Sequence, residues 1–178
     1  MLASVPLIPK FASEITAMVC ELRNRDTSGR RREMANEDKL IVGVWKLVSV
    51  MYEDQATKAM TPIMGDHPRG YQIATPDGRW LALATPSGRT APTTDEERAQ
   101  AFRTMIGYSG RYRVDGSTIT TKVDVAWNES WVGGEQIRHI RFADDKLFIE
   151  SPPMPHPNMY GKAVRVIVVW QRDGSFRV

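Results

Sequence analysis

The hydrophobic period of this chain changes once. From Leu40 onward apolar and polar residues alternate with a period of two, the pattern of strands with one buried face. The run 41–52 is the first strand. Segments 69–75 and 79–85 flank Pro76-Asp77-Gly78, a strong hairpin signal. Further strands are predicted at 108–114, 117–127, 135–142, 146–151 and 162–172. Asp115-Gly116 and Asp144-Asp145 mark turns, and 62–68, 128–134 and 152–157 read as loops. Thr94-Asp95-Glu96-Glu97 is a capping-box pattern. It predicts a helix over about 95–106, with Ala99, Phe102 and Ile106 packed as a lid over a barrel opening. Eight strands joined mostly as neighbours predict an all-β fold. It is an eight-stranded antiparallel barrel with one inserted helix and an N-terminal extension, closed to hide its edges.

Residues 1–38 follow a different rule. Phe11, Ile15, Met18, Val19 and Leu22 recur at helical spacing, so 11–23 reads as a short amphipathic helix. Asp26-Thr27-Ser28-Gly29 breaks it, and Arg30-Arg31-Arg32-Glu33 follows. Such a segment suits a membrane-surface or nucleic-acid arm. Its mixed charges and short arginine run favour a loosely docked or disordered extension, dispensable for the fold. Met34 is an alternative start. The expected division is an extension over 1–38 and a barrel domain over 39–178.

Composition narrows the function classes. Hydrophobic residues make up 42% and charged residues 25%, as in ordinary globular domains. The net charge is +3 with no basic stripe interleaved with aromatics, so nucleic acid is not an expected partner. No apolar run reaches the ~20 residues of a membrane helix. Cys20 is the single cysteine. It excludes an intrachain disulfide and fits a reducing, cytoplasmic compartment.

The ordered set of motifs carries a resemblance. Leu40-Ile41-Val42-Gly43-Val44-Trp45-Lys46-Leu47-Val48-Ser49 opens it. Pro68-Arg69-Gly70-Tyr71 with Thr75-Pro76-Asp77-Gly78, and Tyr108-Ser109-Gly110-Arg111-Tyr112, follow. Trp131-Val132-Gly133 with Gln136 and Arg138, and Val168-Val169-Trp170-Gln171-Arg172, complete it. Over about 40–172 the chain is similar to the lipocalin-like domain family within the calycin barrels. The resemblance implies an eight-stranded barrel around a central pocket. One departure is that typical lipocalins carry their main helix after the eighth strand, whereas here it falls between the third and fourth.

The opening motif has its own physics. Gly43 lets the chain turn into the barrel without a side-chain clash. Trp45 is large enough to plug one end. Trp170 and Arg172 share a face of the last strand, so Arg172 can lie over the Trp45 ring. Arg165, on the opposite face, ranks second for that role. Gly43, Trp45, Trp170 and Arg172 are therefore read as structural.

The lumen is the expected ligand site. With Trp45 inward, Leu47, Ser49 and Met51 are predicted to follow. Ile119, Thr121, Val123, Val125 and Trp127 share one face of the fifth strand. Gln136, Arg138, Ile140 and Phe142 share one of the sixth, and Leu147, Ile149 and Ser151 one of the seventh. Tyr71 and Ile73 are placed inward on the second, and Tyr112 on the fourth. The candidate ligand-binding residues are Arg138, Gln136, Tyr112, Tyr71, Ser49, Thr121 and Trp127. A buried arginine needs a partner. Asp124, Glu150, a backbone carbonyl and a ligand acid are candidates. Alternation puts both carboxylates on the outer face, which leaves Tyr112, Ser49 or water at rest. An internal salt bridge or a rim position is the structural alternative.

The expected function is binding of a small, mostly hydrophobic molecule without a cofactor. The alternative is a cofactor-free barrel enzyme, an isomerase, cyclase or hydratase, using Arg138, Gln136, Tyr112 or Asp124. His67, His139 and His156 lack metal-ligand spacing, so no metal site is expected. His67 or His156 would be the axial ligand if the barrel held haem. No nucleophile elbow or phosphate-cradling glycine loop occurs.

Overall fold

The computed structural model describes residues 40–155 and 162–174. The expected extension over 1–38, with its helix at 11–23, and His156 lie outside them. The strands are β1 (Gly43–Asp54), β2 (Met60–Pro62), β3 (Arg69–Ala74), β4 (Arg79–Thr85), β5 (Ile106–Asp115), β6 (Thr118–Ala126), β7 (Glu135–Ala143), β8 (Lys146–Glu150), β9 (Met154–Pro155) and β10 (Ala163–Arg172). One α-helix, α1 (Asp95–Arg103), joins β4 to β5, and a 3-10 turn covers Glu129–Trp131.

Eight strands close an antiparallel barrel in the order β1-β3-β4-β5-β6-β7-β8-β10, with β10 returning to β1. β2 pairs with the second half of β1 and β9 with the start of β10, so both extend the wall edgewise. The short turns at 75–78, 116–117 and 144–145 gather at one end. Their backbone explains their residues. Gly78 and Gly116 have positive φ, and so do Asp144 and Asp145 together, as a two-residue hairpin of the primed kind requires. The longer connections lie at the other end, and α1 is one of them.

Trp45 sits at the short-turn end, where β1 meets β10. Its indole Nε1 donates to Ile41 O at 2.9 Å. The Arg172 guanidinium lies 4.2 Å from its ring centroid and donates to Val42 O and Leu40 O. Gly43 makes room for this stack. Its φ is +138°, and a Cβ there would stand 2.7 Å from Arg172 Nη1.

Two bulges reset which residues face inward. In the β1–β10 pair Leu47 opposes Trp170, but Ser49 opposes Val169, so β1 carries one extra residue. Facing residues share a side of the sheet, so Ser49 and Met51 turn to the outer side with Val169 and Ile167. The strict alternation that placed them inward is broken by this extra residue. The second bulge lies in β6, where Ser109 opposes Val125 and Gly110 opposes Val123. It turns Val125 outward, 65% exposed. Gly110 lets β6 come close, because a Cβ there would meet Lys122 O at 2.1 Å.

On β3 the inward set is the opposite of the expected one. Gln72 opposes both Trp45 and Ala82 and is fully buried, whereas Tyr71 is 47% exposed and Ile73 also faces out. Trp45 and Trp80 occupy the interior beside this wall, and small Ala74, Ala82 and Ala84 face them. Packing volume therefore outweighs side-chain hydrophobicity in choosing the face. α1 has the capping box at Thr94 and Glu97, but none of its residues is buried and Phe102 is 53% exposed. Ile106 belongs to β5. The helix does not pack an apolar face over the opening.

Buried apolar residues form two clusters. The inner one fills the barrel around Trp45, Leu47, Val50, Trp80, Leu147, Ile149 and Trp170. The second, Met51, Phe148, Ile167 and Val169, lies on the outer face of β1, β8 and β10.

Gly43→Ala tests the seam. Strained backbone at positive φ costs about 1–3 kcal/mol, and displacing Arg172 from Trp45 adds about 0.5–2 kcal/mol. Urea unfolding of the variant is expected to show a clearly lowered midpoint. An unchanged midpoint would mean the Arg172–Trp45 stack tolerates a side chain at this position.

Candidate functional site

β5, β6 and β7 carry the polar side of the lumen. Tyr112 opposes Thr121, and Thr121 opposes Gln136. The three form a row across neighbouring strands on the inner face. Arg138, two residues along β7, donates from Nη2 to Gln136 Oε1 at 2.5 Å and from Nη1 to Ile137 O at 2.7 Å. Four expected ligand residues are thus brought together: Arg138, Gln136, Thr121 and Tyr112. The Tyr112 hydroxyl is tied to the short-turn end, donating to Thr75 O at 2.9 Å.

Arg138 makes no ion pair with a described carboxylate. Asp124 faces outward, bound to Arg79 and to the Ser109 hydroxyl. Glu150 also faces outward and pairs with Arg165 at 2.9 Å. Ser49 lies on the outer side of β1, so it is not a neighbour of Arg138 in the lumen. Tyr108 interacts electrostatically with Arg138. Burial holds the Tyr108 phenol above the usual tyrosine range, and the Arg138 charge opposes that shift. Tyr108 is therefore a neutral hydroxyl near neutral pH. Burial also bears against the charged form of Arg138, which stays protonated at neutral pH all the same.

Aromatic rings surround this pair. Tyr108 lies 6.5 Å from Trp80 and 5.6 Å from Trp131, and Trp80 lies 6.0 Å from Tyr112. Trp127 reaches the group through Trp131, with ring centroids 4.7 Å apart. Trp127 follows the β6 bulge, so it joins the site from the loop rather than through strand alternation. Tyr71 stands on the outer surface, outside the site.

Deeper polar groups escaped the sequence reading. Gln72 is fully buried, and neither amide atom has a hydrogen-bond partner among the described residues. The same holds for the indole N–H of Trp170, whereas that of Trp80 is directed to the Tyr108 hydroxyl. Tyr108 was legible in principle, since alternation puts it on the face of Tyr112. Gln72 was legible only as a polar residue inside an apolar strand, and Trp131 had no periodic signal. Among the described residues no group of three or more His, Cys, Asp or Glu side chains is placed to hold a metal. His67 and His139 are exposed. Among these residues no helix is long and apolar enough to cross a membrane.

The electrostatic coupling of Tyr108 and Arg138 has a titration signature. Tyr108 is expected to ionise above the ordinary tyrosine value of about 10. Arg138→Met removes the charge that favours the phenolate, so it should raise the value further. Site-resolved NMR titration of the tyrosine ring carbons reads this directly. An unchanged or lowered value in the variant would mean that the two groups are uncoupled.

Solved structures with a similar chain path include a lipocalin-like protein from Bacteroides uniformis. It shares 12% identity at a TM-score of 0.42, over 75% of this chain and 99% of that one. An uncharacterized protein from Bacteroides eggerthii shares 16% at a TM-score of 0.40, over 75% and 99% of the two chains. No curated protein matches the chain. The lipocalin-like barrel is consistent with small-molecule binding. The model of the lipocalin-like domain matches residues 42–173, and the chain belongs to that family.

Proposed function

We propose that the barrel binds a small, mostly apolar molecule bearing one acidic group, with Arg138 as its anchor. One observation carries this reading. A partly buried guanidinium on the inner face hydrogen-bonds only neutral acceptors, Gln136 Oε1 and Ile137 O, and makes no ion pair with a described carboxylate. A carboxylate, enolate or phenolate would supply the missing charge through the planar fork of donors that arginine presents. The apolar body would lie against Trp80, Tyr108 and Trp131. Such lining with a few convergent polar groups is the usual chemistry of a small-molecule site.

The carboxylates with shifted titration lie outside the site. Asp54, Asp77, Glu97 and Asp124 are held below the ordinary carboxylate range, chiefly by hydrogen bonds. Asp54 and Asp77 serve turns, Glu97 the helix cap, and Asp124 the outer wall. None of them stands in the lumen as a raised, protonated acid of the kind that drives general acid chemistry.

Fluorescent fatty-acid-like and aromatic-acid probes, each with a neutral amide analogue, test the anchor. A hydrogen bond to a charged group is worth about 1.5–3 kcal/mol, or roughly a 10- to 100-fold change in Kd. Arg138→Met is expected to weaken the acids by that factor and the amides far less. If the acids bind both proteins equally, or bind neither, Arg138 is scaffold and the reading fails.

A further inference from the structure

One buried amide takes no part in holding the fold. Gln72 is fully buried, and neither its Oε1 nor its Nε2 has a hydrogen-bond partner among the described residues. On β3 it opposes Trp45 of β1 on one side and Ala82 of β4 on the other. Both belong to the inner cluster, so the closed barrel itself encloses Gln72. A side-chain amide has a donor end and an acceptor end to satisfy, and burial without a partner is unfavourable for each.

The wall beside this amide is cut back. Trp45, Gln72, Ala82 and Tyr108 form one row across β1, β3, β4 and β5. Adjacent strands lie about 4.8 Å apart, so the backbones of Gln72 and Tyr108 are separated by about 10 Å. Ala82 places only a methyl group between them, and Ala74 is the next inward residue of β3. The row ends on Tyr108, the residue coupled to Arg138.

Arg138 itself stands on the opposite wall. Three strands separate β3 from β7 in either direction around the barrel, β4, β5 and β6 one way and β1, β10 and β8 the other. Both residues stand toward the short-turn end. Gln72 lies just before the 75–78 turn, and Arg138 opposes Ile119, just after the 116–117 turn. An eight-stranded barrel is wide enough for one small ligand, so a single molecule lying across it can reach both.

We propose that Gln72 is a second subsite of this pocket, binding a neutral group that donates and accepts together, such as a carboxamide or lactam. It rests on the Arg138 reading for the ligand's acidic end and assigns the chemistry of the other end. A group that only accepts leaves Gln72 Oε1 bare, and one that only donates leaves Nε2 bare. An amide edge meets both atoms with two parallel hydrogen bonds.

Four straight-chain probes separate the two ends. The tail is a primary carboxamide or the methyl ketone of the same shape, and the head is a carboxylate or its methyl ester. In calorimetric titrations Gln72→Met is expected to lower the carboxamide-to-ketone affinity ratio about 3- to 10-fold with either head. It should leave the acid-to-ester ratio unchanged, and Arg138→Met should do the reverse. Without a probe, the urea midpoint of Gln72→Met should match or exceed that of the wild type, since methionine leaves no amide unpaired. A carboxamide-to-ketone ratio equal in both proteins, or a wild type that binds none of the four, would overturn the subsite. A water held by Gln72 gives the equal ratio. A lowered midpoint or an unfolded variant would also overturn it, by assigning the amide to the fold. An acid-to-ester ratio unchanged by Arg138→Met refutes the anchor alone, because the ester probes still read the Gln72 end.

Discussion

The seam between β1 and β10 is the constraint on which this barrel depends. β1 pairs with β10 along nearly its whole length, with β3 through its first residues and with β2 through its last. Opening the seam would expose two long edges, each lined with unpaired backbone donors and acceptors. The Arg172–Trp45 stack holds the end of the seam. The guanidinium also satisfies the carbonyls of Val42 and Leu40, which precede β1 and lie outside its ladder. One side chain thus links the last strand to the segment leading into the first. Gly43 is the geometric condition for that link, because no other residue leaves space for Arg172 at that φ.

The bulge in β1 gives the same strand two cores. Before it, Trp45 and Leu47 face the lumen. After it, Val48, Ser49 and Met51 join the outer side, while Val50 remains with the inner cluster. An extra residue bends a strand and increases its twist, which suits a strand that hands its edge from β3 to β2. The β6 bulge acts in the same way on the opposite side. It presents Asp124 outward to Arg79 and Ser109 and brings Trp127 round to Trp131.

These two bulges define how far the sequence was legible. Strand positions, the hairpin turns, the closing motif and the capping box at Thr94 were all readable, because each has a local chemical signature. Faces were readable only where period two ran unbroken, as for Gln136, Arg138 and Thr121. Ser49 and Met51 were lost to an insertion that pairs Ser49 with Val169, and only the partner strand reveals it. Tyr71 was lost for another reason. Its bulk suggested core, but the interior beside Trp45 and Trp80 admits the narrower Ala74 and Gln72. Arg138's hydrogen bonds go to Gln136 and Ile137 O on its own strand, but its coupling to Tyr108 was illegible because it depends on how the barrel closes. Tyr108 stands on a strand not adjacent to β7 in the sheet.

The proposed ligand reading rests on the polarity of the interior. A buried polar group left without a partner costs about 1–3 kcal/mol, and marginal stability leaves little room for several such groups. A barrel selected for packing alone would carry a hydrocarbon where Gln72 stands, since Leu or Met fills similar volume. Instead the inner face holds the Gln72 amide, the Trp170 indole N–H and a guanidinium hydrogen-bonded to neutral acceptors. All but the amide carbonyl of Gln72 are donors or include one. A donor-rich interior favours a guest that brings acceptors, and the charged donor favours an acceptor that carries negative charge. Neutral Tyr108 strengthens that preference, because its hydroxyl adds a donor without adding a competing anion.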